Sequence, residues 1–102
     1  MASSKTAVIT GAGTGIGQAT AVALHRAGYH VVLAGRRADR LEAVAGLCSG
    51  PMPRVMVVPT DVTNAESVNA LFAKAHATFG RIDLLFNNAG MNVPPTPLED
   101  LA

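Results

Sequence analysis

The chain has 102 residues, 49% of them apolar and 15% charged, enough for one domain with one buried core and unlike a disordered segment. Its net charge of +1 excludes the broad basic face that nucleic-acid or anionic-membrane binding needs. Aromatic residues are only 4% of the chain, so Ala, Val and Leu must build most of the core.

Apolar runs and amphipathic stretches alternate along the chain. Ala7, Val8, Ile9 and Thr10 form a short, largely β-branched run ending at glycines, which predicts a buried strand. From Ile16 to about Ala27, the residues Ile16, Ala19, Ala23, Leu24 and Ala27 recur at helical spacing, and Gly28 closes that helix. Residues 30–34 (His-Val-Val-Leu-Ala) predict a second strand. A short helix follows, with Leu41, Val44, Ala45 and Cys48 on one stripe, broken by the Pro- and Gly-bearing residues 49–53. Residues 55–58 predict a third strand.

Thr63 and Glu66 stand in capping-box spacing at the start of a further helix. Val68, Leu71, Phe72, Ala75 and Phe79 share one face of it, and Gly80 ends it. Residues 82–86 predict a fourth strand, and residues 87–90 (Asn-Asn-Ala-Gly) the turn after it. The order βαβαβαβ with continuous apolar strands implies an α/β fold, a Rossmann-type doubly wound parallel sheet covered on both faces. Right-handed crossovers then give the strand order 3-2-1-4. After Gly90 the chain becomes rich in proline (Pro94, Pro95, Pro97).

Between the first strand and the first helix lie Thr10, Gly11, Ala12, Gly13, Thr14, Gly15, Ile16 and Gly17. Gly11 suits a tight exit from the strand. Gly13 and Gly15 leave the backbone bare for a pyrophosphate, and Gly17 lets the helix approach the sheet. The helix N-terminus adds free N–H donors and partial positive charge. A merely flexible glycine loop is the alternative, but the strand–loop–helix–strand context favours a dinucleotide site. A nucleotide-triphosphatase loop is disfavoured, because no Gly-Lys-Ser/Thr ending is present.

The spacing is T-G-x-x-x-G-I-G. With Asp61-Val62 after the third strand and Asn87-Asn88-Ala89-Gly90 after the fourth, the sequence resembles the short-chain dehydrogenase/reductase family, in its ordinary branch. The resemblance implies an NAD(P)-dependent oxidoreductase that moves a hydride between a nicotinamide cofactor and a carbonyl or alcohol. It implies that Asp61 faces the adenine and that Asn88, Ala89 and Gly90 flank the cofactor. On spacing alone Asp61 reads equally well as a cap for the following helix, and Asn87 and Asn88 as turn residues.

The place after the second strand, where an NAD site usually carries Asp or Glu, holds Gly35, Arg36 and Arg37. A guanidinium there suits the 2′-phosphate of NADP, so NADP is expected over NAD. The alternative is that Arg36, Arg37 and Arg40 form the solvated side of the second helix, with Asp39 offsetting their charge. The family's other NADP marker, a basic residue before the second motif glycine, is missing, since position 14 is Thr.

The family's catalytic Ser, Tyr-x-x-x-Lys pair and Asn cannot be placed on this chain. The only tyrosine is Tyr29, followed at 33 by Leu, and the only lysines are Lys5 and Lys74. His25, His30, His76 and Cys48 lack metal-ligand spacing and read as surface or helix-flank residues. Residues 1–102 are thus expected to be the N-terminal part of an NAD(P)-binding Rossmann domain, cut after the fourth strand.

A complete non-catalytic dinucleotide-binding module is the competing reading, and the glycine spacing disfavours a flavodoxin-like partner-binding domain. A small-molecule substrate and a homo-oligomer are expected of the full-length enzyme, with no nucleic-acid or membrane partner. The lone Cys48 rules out an internal disulfide and fits a reducing, cytoplasmic setting, and the N-terminus lacks a secretory-signal pattern.

Overall fold

A computed structural model describes residues 5–13, 15–48, 50 and 52–87. Its elements are β1 (Thr6–Thr10), α1 (Gly15–Arg26), β2 (His30–Gly35), α2 (Ala38–Ala45), β3 (Val55–Pro59), α3 (Ala65–Phe79) and β4 (Leu84–Asn87). The four strands form one sheet in the order β3-β2-β1-β4, and every pairing is parallel. This is the expected doubly wound arrangement.

Alternation along each strand splits the core in two. Ile9, Val31 and Leu33 point to one face and pack with Ala21 of α1 and with Leu41 and Val44 of α2. Val8, Val32, Ala34 and Val58 point to the other and pack with Leu71 and Ala75 of α3. Both central strands are therefore buried on both sides, which is why they read as unbroken apolar runs. Burying a Leu or Val side chain contributes about 1.5–3 kcal/mol, so these two layers supply the main cohesion of the sheet.

Helix α1 turns a different line to the sheet than most of its apolar residues suggested, although Leu24 packs against the core as expected. Gly17, Ala21 and His25 are buried, whereas Ala19, Ala23 and Ala27 are exposed and Ile16 is 68% exposed. The cause lies at Gly17. A Cβ there would lie 2.2 Å from the Gly11 carbonyl oxygen. Helix and loop are in backbone contact at that point, and the i, i+4, i+8 line through Gly17 must follow. Residues two positions away fall on the opposite side of the helix.

The histidines are also placed differently from expectation. His25 and His30 are buried, not surface residues. His25 Nε2 donates to the Pro53 carbonyl at 2.7 Å, and His30 Nδ1 accepts the Arg54 N–H at 2.8 Å. The two rings hold the segment that leads into β3. His30 also stacks on Phe79 with centroids 4.6 Å apart.

Helix α3 starts one residue later than the capping box implied. Asn64 is the cap, and its side chain accepts the Ser67 N–H at 3.0 Å. Thr63 is already engaged by Asp61, so the next polar residue takes the role. Gly80 ends the helix in the left-handed region, at φ 79°. Strand β4 starts at Leu84 because Asp83 is used otherwise: its carboxylate accepts the Thr6 N–H at 2.8 Å while its own N–H donates to the Thr6 carbonyl. Asn87 lies in the strand, opposite Thr10, rather than in the turn after it.

Candidate functional site

The loop between β1 and α1 leaves the sheet at its carboxyl-terminal rim. Gly11 takes φ 66°, which L side chains rarely adopt. Ala12 N–H then donates to the Ala34 carbonyl at 3.2 Å, which pins the loop to β2. The four glycines differ in what they permit. Gly17 is demanded by packing. At Gly15 a Cβ would meet nothing within 4 Å, so the space in front of the first turn of α1 is open. The orphan N–H groups of that turn carry the positive end of the helix dipole. At Gly13 a Cβ would come 3.0 Å from Arg40 Cβ, so this glycine admits α2 as well as leaving backbone bare.

A cavity of about 410 Å³ opens beside this loop, lined by Gly11, Gly13, Gly35, Arg36, Arg37, Arg40, Leu41, Thr60, Val62 and Thr63. Thr60 N–H donates to the Gly35 carbonyl at 2.7 Å and holds the ends of β2 and β3 together there. Three strand ends and the start of α2 thus converge on one depression. Three guanidinium-bearing residues line it, and among the described residues no carboxylate is part of that lining, although Asp61 stands beside Arg36 at its edge. Arg40, which the sequence suggested only as part of a solvated helix face, is brought to it by the first turn of α2.

The arginines are not equivalent. Arg37 donates from Nε and Nη2 to the two oxygens of Asp39, at 3.3 and 3.2 Å. That pairing lowers the Asp39 pKa. Arg36 reaches Asp61, with Nη2 3.6 Å from Oδ1. The Asp61 carboxylate accepts the Thr63 hydroxyl at 2.6 Å and the Thr63 N–H at 3.0 Å. These bonds, then the nearby Arg36 charge, hold its pKa below the usual carboxylate range. Asp61 therefore does not cap α3, a role that Asn64 takes; it closes the turn at Thr63 just before that helix, and it also faces Arg36.

At the central crevice, Thr10 Oγ1 donates to Asn87 Oδ1 at 2.9 Å across β1 and β4. This is where strand order reverses, the usual place for a ligand in an open parallel sheet. Thr14, Asn88, Ala89 and Gly90, expected at the same rim, lie outside the described residues.

A second cavity of about 240 Å³ lies at the opposite rim, among His25, Arg26, Cys48, Met52 and their neighbours. Burial pushes the Cys48 thiol pKa up. Among the described residues, no group of three or more His, Cys, Asp or Glu side chains could hold a metal ion, and no helix is long and apolar enough to cross a membrane.

The family described as short chain dehydrogenase matches residues 5–102. The chain belongs to the short-chain dehydrogenase family. An uncharacterized oxidoreductase from Staphylococcus aureus (strain USA300) is 52% identical over 86 residues, covering 84% of this chain and 36% of the relative. The alcohol dehydrogenase of the archaeon Thermococcus sibiricus, solved with 5-hydroxy-NADP, is 44% identical with a TM-score of 0.74 over 79% of this chain and 35% of that one. A short-chain dehydrogenase/reductase from Burkholderia phymatum, solved with NAD, is 37% identical with a TM-score of 0.76, over 81% and 30%. This short-chain dehydrogenase chain spans about 36% of the length of the first of these relatives.

Proposed function

We propose that the chain supplies the dinucleotide-binding half of an NAD(P)-dependent oxidoreductase acting on a carbonyl or alcohol, and that NADP is preferred to NAD. One observation carries the cofactor reading: the cavity beside the glycine loop is lined by Arg36, Arg37 and Arg40, and the end of β2 offers Gly35 where a ribose-binding carboxylate would stand. The open space before Gly15 and the free N–H groups of α1 suit a pyrophosphate. Gly11, Gly13, Gly15, Ile16 and Gly17 form that cradle, and the family resemblance adds Thr14 to it. Arg36 and Arg37 meet a 2′-phosphate. Asp61 and Val62 border the adenine, and the family resemblance assigns Asn88, Ala89 and Gly90 to the flank of the cofactor. The bound nicotinamide would accept or donate the hydride, and the chain's own residues bind and orient it.

A charge-assisted bond from Arg36 contributes about 1.5–3 kcal/mol, or roughly ten- to a hundredfold in affinity. Dissociation constants for NADP and NAD, with Arg36→Ala as control, test the preference. A tighter NADP complex that Arg36→Ala brings level with NAD is expected; equal affinities in the parent chain contradict it.

A second reading, dinucleotide binding without turnover by this chain alone, is favoured by Tyr29. The only tyrosine packs against the core just before β2, at the rim opposite the glycine loop. A missing general acid costs roughly 10²–10⁴-fold in rate. The chain is therefore expected to show no NADPH turnover with carbonyl substrates, and robust turnover contradicts this.

A further inference from the structure

The Arg36–Asp61 pair joins a fixed anion to a loosely held cation. Asp61 is anchored on both sides by the start of α3: its carboxylate takes two bonds from Thr63, and its own N–H donates to Ser67 Oγ at 2.9 Å. Arg36 follows the end of β2, and its side chain is 70% exposed. Its described ionic contact is Asp61, at 3.6 Å. Seen from beyond that distance, the two charges largely cancel. A phosphate that approaches Arg36 meets a guanidinium already partly neutralised by a carboxylate that cannot swing away without breaking the Thr63 turn.

We propose that Asp61 is a specificity-determining residue that weakens the attraction of Arg36 for a phosphate monoester, and so sets how far the site discriminates between a 2′-phosphorylated dinucleotide and its unphosphorylated form. This rests on the reading of the cavity as a dinucleotide site. The direction of the effect separates it from the opposite role, in which the carboxylate would orient Arg36 for the phosphate. Removing an orienting partner lowers discrimination, whereas removing a competing anion raises it. A contact between Asp61 and the adenine is common to both cofactors and cancels in the ratio of their dissociation constants.

The test is calorimetric titration of the chain with NADP and with NAD, in the parent, Asp61→Asn, Arg36→Ala and the double variant. Asn keeps an oxygen for the Thr63 N–H and hydroxyl, so the turn is retained while the charge is lost. Asp61→Ser is a second neutral acceptor, should the first variant fail to fold. The ratio of the NAD to the NADP dissociation constant is expected to rise about two- to fivefold in Asp61→Asn, the range of an exposed ion pair, and more at low ionic strength. The rise is expected to vanish in the Arg36→Ala background. An unchanged or smaller ratio in Asp61→Asn overturns the proposal, as does a rise that persists without Arg36. If the parent binds neither cofactor, the dinucleotide reading falls and the proposal with it. If the parent binds both and only the Asp61→Asn ratio fails to move, the proposal falls alone.

Discussion

The two rims of the sheet are built from the same kinds of residue and use them in opposite ways. At the amino-terminal rim, polar groups are turned inward and matched. His25 is bound to Pro53, His30 to Arg54, and Asp83 to Thr6; Arg54 lies 5.5 Å from the Phe79 ring centroid. The exception is the buried hydroxyl of Thr6, whose Oγ1 has no hydrogen-bond partner among the described residues. At the carboxyl-terminal rim, Arg36 and Arg37 are mostly exposed, each in an ion pair with a carboxylate that is itself exposed, and glycines leave the backbone open. Exposed pairs of this kind contribute about 0–1 kcal/mol to stability. A rim whose charges do little for the fold is free to use them on a ligand, whereas a rim with buried hydrogen bonds is committed to holding the chain together.

Gly17 and Gly15 offer the sharpest way to break that contrast, since they lie two residues apart on the same rim. Gly17→Ala forces a Cβ against the Gly11 backbone, which has no flexible side chain to give way. A loss of about 3 kcal/mol is expected, at the upper end of ordinary overpacking. Gly15→Ala meets open space, so stability is expected to stay within about 1 kcal/mol of the parent while dinucleotide affinity falls. Urea unfolding and cofactor titration of both variants check this. Equal losses of stability would show that the two glycines are not distinguished by packing.

The opposite rim should respond in stability alone. His30→Ala leaves the Arg54 N–H without its acceptor and removes the stack on Phe79. A cost of about 2 kcal/mol is expected, with the cofactor dissociation constant unchanged in conditions where the variant is folded. Weakened binding in folded His30→Ala would mean that the two rims are coupled.

A smaller effect is expected with pH. Burial, then the Arg54 and His25 charges, lower the His30 pKa from its ordinary 6.5. The folded state therefore favours the neutral ring, whose Nδ1 must stay unprotonated to accept from Arg54. The stabilisation is complete above pH about 6.5 and declines as pH falls below it, because the unfolded chain takes up the proton more readily. Urea midpoints from pH 7.5 to 5.5 should fall in the parent and fall less steeply in His30→Ala. Identical slopes contradict a role for His30.

The fold was legible in the sequence because its periodicities are strong. The strand order follows once four apolar runs are separated by helices, and Leu71 and Ala75 lie on the predicted face of α3. The glycine spacing pointed to the tight turn at Gly11 and to the close approach of α1 at Gly17. What stayed hidden was decided by contacts between distant residues. The buried line of α1 depends on Gly17 meeting Gly11, which no hydrophobic pattern encodes. The buried roles of His25 and His30 depend on where the 52–54 segment passes, and a single histidine looks the same in either setting. Thr63 stood in the right spacing for a cap, but Asp61 reached it first. Arg40 needed the tertiary approach of α2 to Gly13 before it became a residue of the cavity.

The most direct test of the two-rim account is amide chemical-shift mapping on the 10.4 kDa chain during titration with NADP. Shifts are expected to concentrate at residues 11–17, 35–40 and 60–63, leaving His30, Arg54 and Phe79 unmoved. Shifts clustered around His25, Cys48 and Pro53 at the opposite rim would contradict the account.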